Sequence, residues 1–335
     1  MARQRVDPRP LTEGALFAGL AVVLALIGFY IPVIGIFVSL LWPVPIALMV
    51  LRHGVRTAVM TVVVAGAVLS MVVGILEGTL MTLTMGVVGL AMGYAVSRGW
   101  SAFRTLALAS VAVLVGVTIS VGASAAFLRL NVMDMLAPDL SEATKSVSEL
   151  YAKFGLPKER TDQILKMLVP PRELMLATLP ATLSMAIAIN ALINYEVARR
   201  IMPRFGYPVT ALPAFRDWRF PKFFALLYLV AQSLVISKNM PPVQLAGRVV
   251  NIAYENPALY SAAMNFSIPL SMCMFIQGLS IGYFFLARWK VGKALANMLM
   301  VFVVFNPSLW QMAFMFGLLD NLFDYRRMVA TVPGK

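Results

Sequence analysis

The sequence predicts an all-α, polytopic bundle of transmembrane helices. Hydrophobic residues make up 60% of the 335-residue chain and charged residues only 13%, whereas soluble globular chains are about 45–50% apolar and about 25% charged. The apolar residues occur in blocks of about 20, the length with which a helix crosses ~30 Å of hydrocarbon. The alternation typical of strands is absent, so helices have to satisfy the backbone hydrogen bonds in lipid.

The first half of the chain, residues 1–128, contains five predicted spans. They cover about 14–31, 33–51, 57–76, 79–96 and 106–128. Pro32 ends the first span, which we expect to be retained rather than cleaved as a signal peptide. Two prolines follow Trp42 and remove backbone donors, so they should break or kink the second span. Such a break either lines a pocket or serves packing alone.

A polar insert over residues 129–173 follows the fifth span and is predicted to lie outside the membrane. Residues 141–154 place apolar side chains at helical spacing, and Gly155 is a typical helix stop. Pro157 suits the start of a second short helix. The insert is either a passive cap or a lid that gates a ligand.

The second membrane half, residues 174–327, precedes a short tail, 328–335. Spans are predicted at about 174–195, 223–236 and 258–287, with a short interfacial or re-entrant helix over 243–254. This brings the total to about eight spans. Asn306-Pro307 divides the last apolar run into two half-length helices, which suit a hairpin or re-entrant element better than a full span.

The net charge of +13 lies mainly in short loops beside apolar segments, as the positive-inside bias produces. We therefore expect a lipid bilayer, and no nucleic acid, as the partner of this charge. Most Lys and Arg fall on the cytoplasmic side if the N-terminus is cytoplasmic, which fixes the predicted orientation. The basic loop at 199–222 would contact anionic lipid or a cytoplasmic partner.

Polar and aromatic residues in or beside the spans are the candidates for a ligand pocket, because ionisable and polar groups at membrane depth are often functional. The pocket hypothesis assigns ligand binding to Trp42, Glu77, Asn190, Gln232 and Asn265. Each also has a structural explanation. Glu77 could be a solvated turn, and the amides could join helices through hydrogen bonds.

No motif of an enzyme or of a metal site occurs in the chain. There is no GxxxxGK[ST], no HExxH, no nucleophile elbow and no Cys/His cluster, and His53 is the only histidine. Asp320 and Asp324 form a carboxylate pair only if they do not bind the neighbouring arginines, Arg326 and Arg327. We expect no enzyme and no cofactor, so active transport would take its energy from another subunit.

Small residues in the first span repeat at helical spacing, in the pairs Gly14–Ala18 and Ala15–Gly19. This spacing lets a second helix approach closely. The second helix belongs either to the same chain or to a partner subunit.

Three stretches carry a resemblance to a known family: Trp42-Pro43-Val44-Pro45 with the following LMVLRHGVRTA, FIQGLSIGYFFLARW, and the ending GLLDNLFDYRR. They resemble the YybS-like family of predicted bacterial membrane proteins of unknown function. His53 departs from the aromatic residue expected there. The resemblance implies the bacterial cytoplasmic (inner) membrane.

The first five spans are also distantly similar to the substrate-binding (S) components of energy-coupling-factor (ECF) vitamin transporters. That similarity implies a small-molecule-binding subunit whose first helix docks, through Gly14, Ala15, Ala18 and Gly19, on a membrane coupling subunit driven by ATPases. The chain departs in its greater length. The alternative function is a non-transporting scaffold in cell-envelope assembly, comparable to the shape-determining membrane protein MreD.

Overall fold

The computed structural model is helical over most of the residues it describes. These are residues 9–129, 131–138, 140–153, 161, 165, 169–237, 243–245, 248–250 and 256–330. Contacts divide the chain into two compact units. Unit 1 comprises Met1–Val147 and Ala186–Ala211, and unit 2 comprises Ser148–Met185 and Leu212–Lys335.

The helices confirm the predicted transmembrane bundle. Among the described residues, six helices are long and apolar enough to cross a membrane, or seven spans if a bent pair near the C-terminus counts as one. About eight were predicted. The number is lower because Phe37–Val73, which contains most of the second and third predicted spans, counts as one helix. In addition, Phe223–Ser237 has only 15 residues and is too short to count.

Unit 1 is built mainly from four long helices and one short helix. They are α1 (Arg9–Tyr30), α2 (Pro32–Ser39), α3 (Pro43–Val73), α4 (Ile75–Ser97) and α5 (Ala102–Leu128). A core cluster formed by α1, α3 and α4 contains Ala18, Val22, Ala25, Ala65, Leu69 and Met85. Helix α4 approaches α3 so closely that a Cβ on Gly78 would lie 2.4 Å from the Ser70 nitrogen.

Helix α3 reverses its direction at Gly54, whose φ of 85° and ψ of 171° are not helical. Before Gly54, neighbours on α3 and α4 advance in the same direction, in the pairs Ile46–Gly89 and Val50–Gly93. After it they advance in opposite directions, in the pairs Val62–Gly86 and Ser70–Gly78. The two halves of α3 therefore match the second and third predicted spans, and their turn lies in the short stretch between those spans.

The polar insert contributes two described helices, α6 (Val132–Leu136) and α7 (Ser141–Lys153). Asn131 caps α6 by accepting a hydrogen bond from the Met133 nitrogen at 2.9 Å. Helix α7 confirms the helix predicted over 141–154. The predicted second helix after Pro157 lies largely outside the described residues. Helix α8 (Arg172–Ile201) begins in unit 2 and ends in unit 1.

Unit 2 contains α9 (Phe223–Ser237), α10 (Pro257–Arg288), α11 (Lys293–Phe305), α12 (Pro307–Phe323) and α13 (Tyr325–Ala330). Its core joins α9, α10 and α12 through Ala225, Met274, Phe275, Ala313, Phe314 and Leu318. Gly278 and Gly317 let α10 and α12 touch backbone to backbone. Small residues at a helix crossing allow such an approach.

The predicted break at Asn306-Pro307 is confirmed, because α11 and α12 meet there at a bend of 105°. The Asn306 side chain caps α12 by accepting from the nitrogens of Ser308 at 3.1 Å and Leu309 at 3.3 Å. Pro307 occupies the first helical turn, where its missing donor costs nothing.

A short antiparallel hairpin replaces the helix predicted over 243–254. Strand β1 (Val243–Leu245) pairs with β2 (Arg248–Val250). Three of the six strand residues are valine, and β-branched side chains suit a pleated strand better than a helix.

Candidate functional site

Trp42 lies in unit 1 at the start of α3, packed against the core cluster of α1, α3 and α4. Its ring closes on Gly28, where an added Cβ would lie 3.0 Å from the ring. The indole Nε1 is buried and has no hydrogen-bond partner among the described residues. A buried donor without a partner is costly, so this N–H is the strongest candidate for a ligand contact among the predicted residues.

Glu77 and Asn190, the other predicted residues of unit 1, are both exposed. Glu77 occupies the first turn of α4, where a carboxylate interacts favourably with the helix dipole. Asn190 accepts hydrogen bonds from the Asn194 side chain on its own helix, through its backbone and side-chain oxygens, at 2.9 and 2.8 Å. Trp42 faces the core and Glu77 is exposed, so the two have different surroundings.

Asn265 in unit 2 joins α10 to α8 at the position where Pro180 interrupts α8. Its side-chain oxygen accepts from the Ala181 nitrogen at 2.9 Å, and its nitrogen donates to the Ala177 oxygen at 2.6 Å. These two backbone groups would bond to each other in an uninterrupted helix. Asn265 thus substitutes for a helical hydrogen bond, which is the structural role left open by the sequence.

Gln232 lies on α9 of unit 2 and is partly buried. The five predicted ligand residues are divided between the units, with Trp42, Glu77 and Asn190 in unit 1 and Gln232 and Asn265 in unit 2. The assignment of these residues to one pocket stays a prediction.

The four predicted docking residues point in two directions. Gly14 and Ala18 are buried, with Gly14 facing Thr61 and Met49. Ala15 and Gly19 are exposed, and a Cβ on Gly19 would meet no atom within 4 Å. Only Ala15 and Gly19 are therefore free to face a partner, because the other pair packs within unit 1.

Helix α1 also carries Glu13 near its start, and this carboxylate contacts Arg52 at 2.9 Å and His53 at 3.0 Å. This places the Gly54 turn beside the start of α1. His53 thus belongs to a polar group with Glu13 and Arg52 at that end of unit 1.

A buried polar cluster in unit 2 centres on Arg326, whose exposed fraction is 1%. Its guanidinium forms a salt bridge with Asp320 at 3.0 Å. It also donates to the backbone oxygens of Arg216 at 2.6 Å and Trp218 at 3.0 Å, and to the Ser280 hydroxyl at 3.1 Å. One side chain of α13 therefore holds α10, α12 and the loop before α9.

Gln277 extends the same cluster on the side of α12. Its nitrogen donates to Asp320 at 3.0 Å, and its oxygen accepts from the Asn321 side chain at 3.0 Å and from the Phe220 nitrogen at 3.1 Å. Two buried oxygens, Asp320 Oδ1 and Asn321 Oδ1, have no partner among the described residues. The remaining contacts fix the loop over 215–220 to the helices.

The carboxylates of the C-terminal motif do not act as a pair. Asp320 binds Arg326, as expected for a helix end that pairs with its own arginine. Asp324 instead binds Arg219 from the loop before α9, at 3.0 Å. The spacing of the motif indicated ion pairing, but it held no information on a partner 105 residues away.

Among the described residues, no three His, Cys, Asp or Glu side chains come together in the manner of a metal site.

Comparison with known proteins identifies the chain's relatives. The family described as predicted membrane protein (DUF2232) matches residues 19–321. The uncharacterized protein YybS of Bacillus subtilis (strain 168) is 26% identical over 321 residues, which cover 96% of this chain and 98% of that protein. No solved structure matches the chain. The family match covers most of the sequence and both units, and the resemblance to YybS-like proteins is confirmed: the chain is an integral membrane protein of the DUF2232 family.

Proposed function

We propose that this membrane protein is a small-molecule-binding subunit, similar to an ECF S component, that docks on a second membrane protein through α1. The observation that carries the proposal is the outward face formed by Ala15 and Gly19, where Gly19 has no neighbour within 4 Å of an added Cβ. A partner helix can approach closely at small residues spaced by four.

The residues around this pair suit a contact within the membrane. Leu16 and Leu20 lie on the same side of α1 and are exposed. They would pack beside a helix seated over Ala15 and Gly19. The opposite side of α1 is filled by Ala18, Val22 and Ala25 of the core cluster, so docking there would require unit 1 to open.

The ligand contact of this proposal is the Trp42 indole. Ligand pockets are mostly apolar with a few placed polar groups, and Trp42 supplies a buried, unpartnered donor among aliphatic side chains. No catalytic step is assigned to the chain. Energy for transport would come from a coupling subunit and ATPases bound to it.

A second candidate function is the non-transporting scaffold in envelope assembly. It is favoured by the buried cluster of unit 2, which fixes the loop over 215–220 through Arg326, Gln277 and Asn321. The same loop carries two arginines that are about half-exposed: Arg216, and Arg219, which forms an ion pair with Asp324. A rigid basic loop suits the docking of an acidic protein surface.

The experiment is a tagged pull-down of the full chain in mild detergent, with mass spectrometry of the proteins recovered. The variants are Ala15→Leu and Gly19→Leu. The matched control is Gly122→Leu on α5, because Gly122 is also exposed with no atom within 4 Å of an added Cβ. All three place a leucine on an open helix face.

The proposal expects a coupling membrane subunit and ATPases to be recovered with the wild type and the Gly122→Leu variant, and to be lost from the two α1 variants. Recovery of cell-wall or division proteins without an ATPase, unaffected by the α1 variants, would establish the scaffold instead. Equal losses from all three variants would remove the assignment of Ala15 and Gly19.

A further inference from the structure

An open groove runs along α5 in unit 1, next to the turn that joins α4 to α5. It is a shallow surface depression of about 540 Å³, lined by Trp100, Arg104, Ala107, Leu108 and Val111. Residues 104, 107, 108 and 111 have the spacing of one helix face. A single cation and an indole thus stand at one end of a surface that is otherwise aliphatic.

The groove's cation is available for an anionic ligand. Arg104 is exposed, and it has no carboxylate partner among the described residues. The nearby Arg98 likewise lacks a described carboxylate partner and lies over the Tyr94 ring, 5.3 Å from its centroid. Tyr94 in turn packs edge-on against Trp100, so the head of the groove is both aromatic and positively charged.

The surrounding end of unit 1 is strongly basic. The turn before α5 meets the segment that follows α8, because the Thr210 hydroxyl donates to the Trp100 oxygen at 3.2 Å. That segment brings Arg204 to the same end as Arg98 and Arg104. The nearest acid of α8, Glu196, is already bound by Arg199 and Arg200.

The length of the groove and the order of its residues match the layers of a lipid bilayer. Trp and Arg are typical of the level of the headgroups. From Arg104 to Val111 the helix rises ~10 Å, at about 1.5 Å per residue, which lies within the ~15 Å half-thickness of the hydrocarbon. A phosphate at Arg104 would therefore place an acyl chain beside Ala107, Leu108 and Val111.

From this charge complementarity and layering we infer that the groove is a binding site for an anionic phospholipid, with its phosphate on Arg104 and one acyl chain along α5. A free anion would use only the head of the groove. A zwitterionic lipid would gain less from the uncompensated arginines, because the cation of its own headgroup opposes the charge of its phosphate. The inference does not depend on the proposed docking face of α1.

The test is a native mass spectrometry titration of the full chain in detergent with dioleoyl phosphatidylglycerol. Dioleoyl phosphatidylcholine, glycerol 1-phosphate and inorganic phosphate are the comparison probes. The variants are Arg104→Gln, which removes the charge at the head, and Ala107→Trp, which fills the apolar part. Arg56→Gln is the matched control, because Arg56 is an exposed arginine at the same end outside the groove.

We expect phosphatidylglycerol to bind the wild type about tenfold more tightly than phosphatidylcholine, since a charge-assisted contact gives a difference of that size. Arg104→Gln should abolish this preference, Ala107→Trp should weaken binding of the lipid, and Arg56→Gln should leave both unchanged.

Equal losses from Arg104→Gln and Arg56→Gln would overturn the inference in favour of diffuse surface charge. Displacement of the lipid by inorganic phosphate or glycerol 1-phosphate at matched concentration would overturn it in favour of a simple anion site. Equal affinity for phosphatidylcholine, which also carries a phosphate, would overturn the selectivity of the site for an anionic lipid. A thermal melt of each variant separates loss of binding from loss of folding.

Discussion

At the scale of single residues, Arg326 and Asp320 form the most deeply buried charge pair among the described residues of unit 2. Removing one partner leaves the other charge buried and uncompensated, which typically costs about 3–5 kcal/mol. We expect Arg326→Met to lower the free energy of unfolding by that order, measured by denaturant titration in detergent. The control is Arg219→Met, because its pair with Asp324 is half-exposed and exposed pairs contribute only about 0–1 kcal/mol.

The double variant Arg326→Met with Asp320→Leu should recover much of the lost stability, since neither charge then remains buried. A loss from Arg326→Met no larger than that from Arg219→Met would contradict the importance assigned to the cluster. Sequence reasoning identified the motif that contains Asp320 and Arg326 but not the cluster. Gln277, Ser280 and the loop over 215–220 are distant in the chain, and no local pattern connects them.

Asn265 offers a second test at the same scale, because it replaces a helical hydrogen bond beside Pro180. We expect Asn265→Leu to destabilise the protein by about 1 kcal/mol, within the range measured for hydrogen bonds between membrane helices. In a Pro180→Ala background, Ala181 and Ala177 can bond to each other again. The cost of Asn265→Leu, measured by the same titration, should then be smaller. Equal costs in both backgrounds would indicate that Asn265 stabilises the helices by another route.

At the scale of elements, the positions of breaks were more predictable from the sequence than the faces of helices. Asn306-Pro307 carries its own signal, because Asn caps a helix and Pro begins one, and the 105° bend lies there. The two small-residue pairs of α1 have the same spacing. Which pair faces inward depends on α3, and the structure assigns Gly14 and Ala18 to the inside. The hairpin β1–β2 was missed because six residues are too few for a periodicity to show.

Gly54 supports a prediction about an element, because its φ of 85° and ψ of 171° are accessible almost only to glycine. We expect Gly54→Ala to cost about 1–3 kcal/mol from backbone strain alone, since no atom lies within 4 Å of an added Cβ. Gly122→Ala is the matched control. That site is equally open but helical, so alanine should be neutral or stabilising there. Thermal melts of the two variants in detergent would measure this difference. Identical melting temperatures would contradict the conformation assigned to Gly54, and with it the turn of α3 there.

At the scale of the whole molecule, the reversal of α3 at Gly54 determines which residues lie at the same end of unit 1. Contacts with α4 indicate that Gly54 reverses the chain, which places Arg56 at the same end of unit 1 as Gly99 and opposite Glu77. Single cysteines at positions 56, 77 and 99, in a Cys273→Ala background, would report these ends to a membrane-impermeant thiol reagent. With the predicted cytoplasmic N-terminus, we expect labelling of position 77 in intact cells and of positions 56 and 99 in inverted vesicles.

Labelling of position 56 on neither side would place Gly54 within the bilayer and make α3 one continuous span. Reversal of all three sides would preserve the fold of unit 1 and overturn only the orientation, because the relative positions of the three residues come from helix contacts and the orientation comes from the distribution of Lys and Arg.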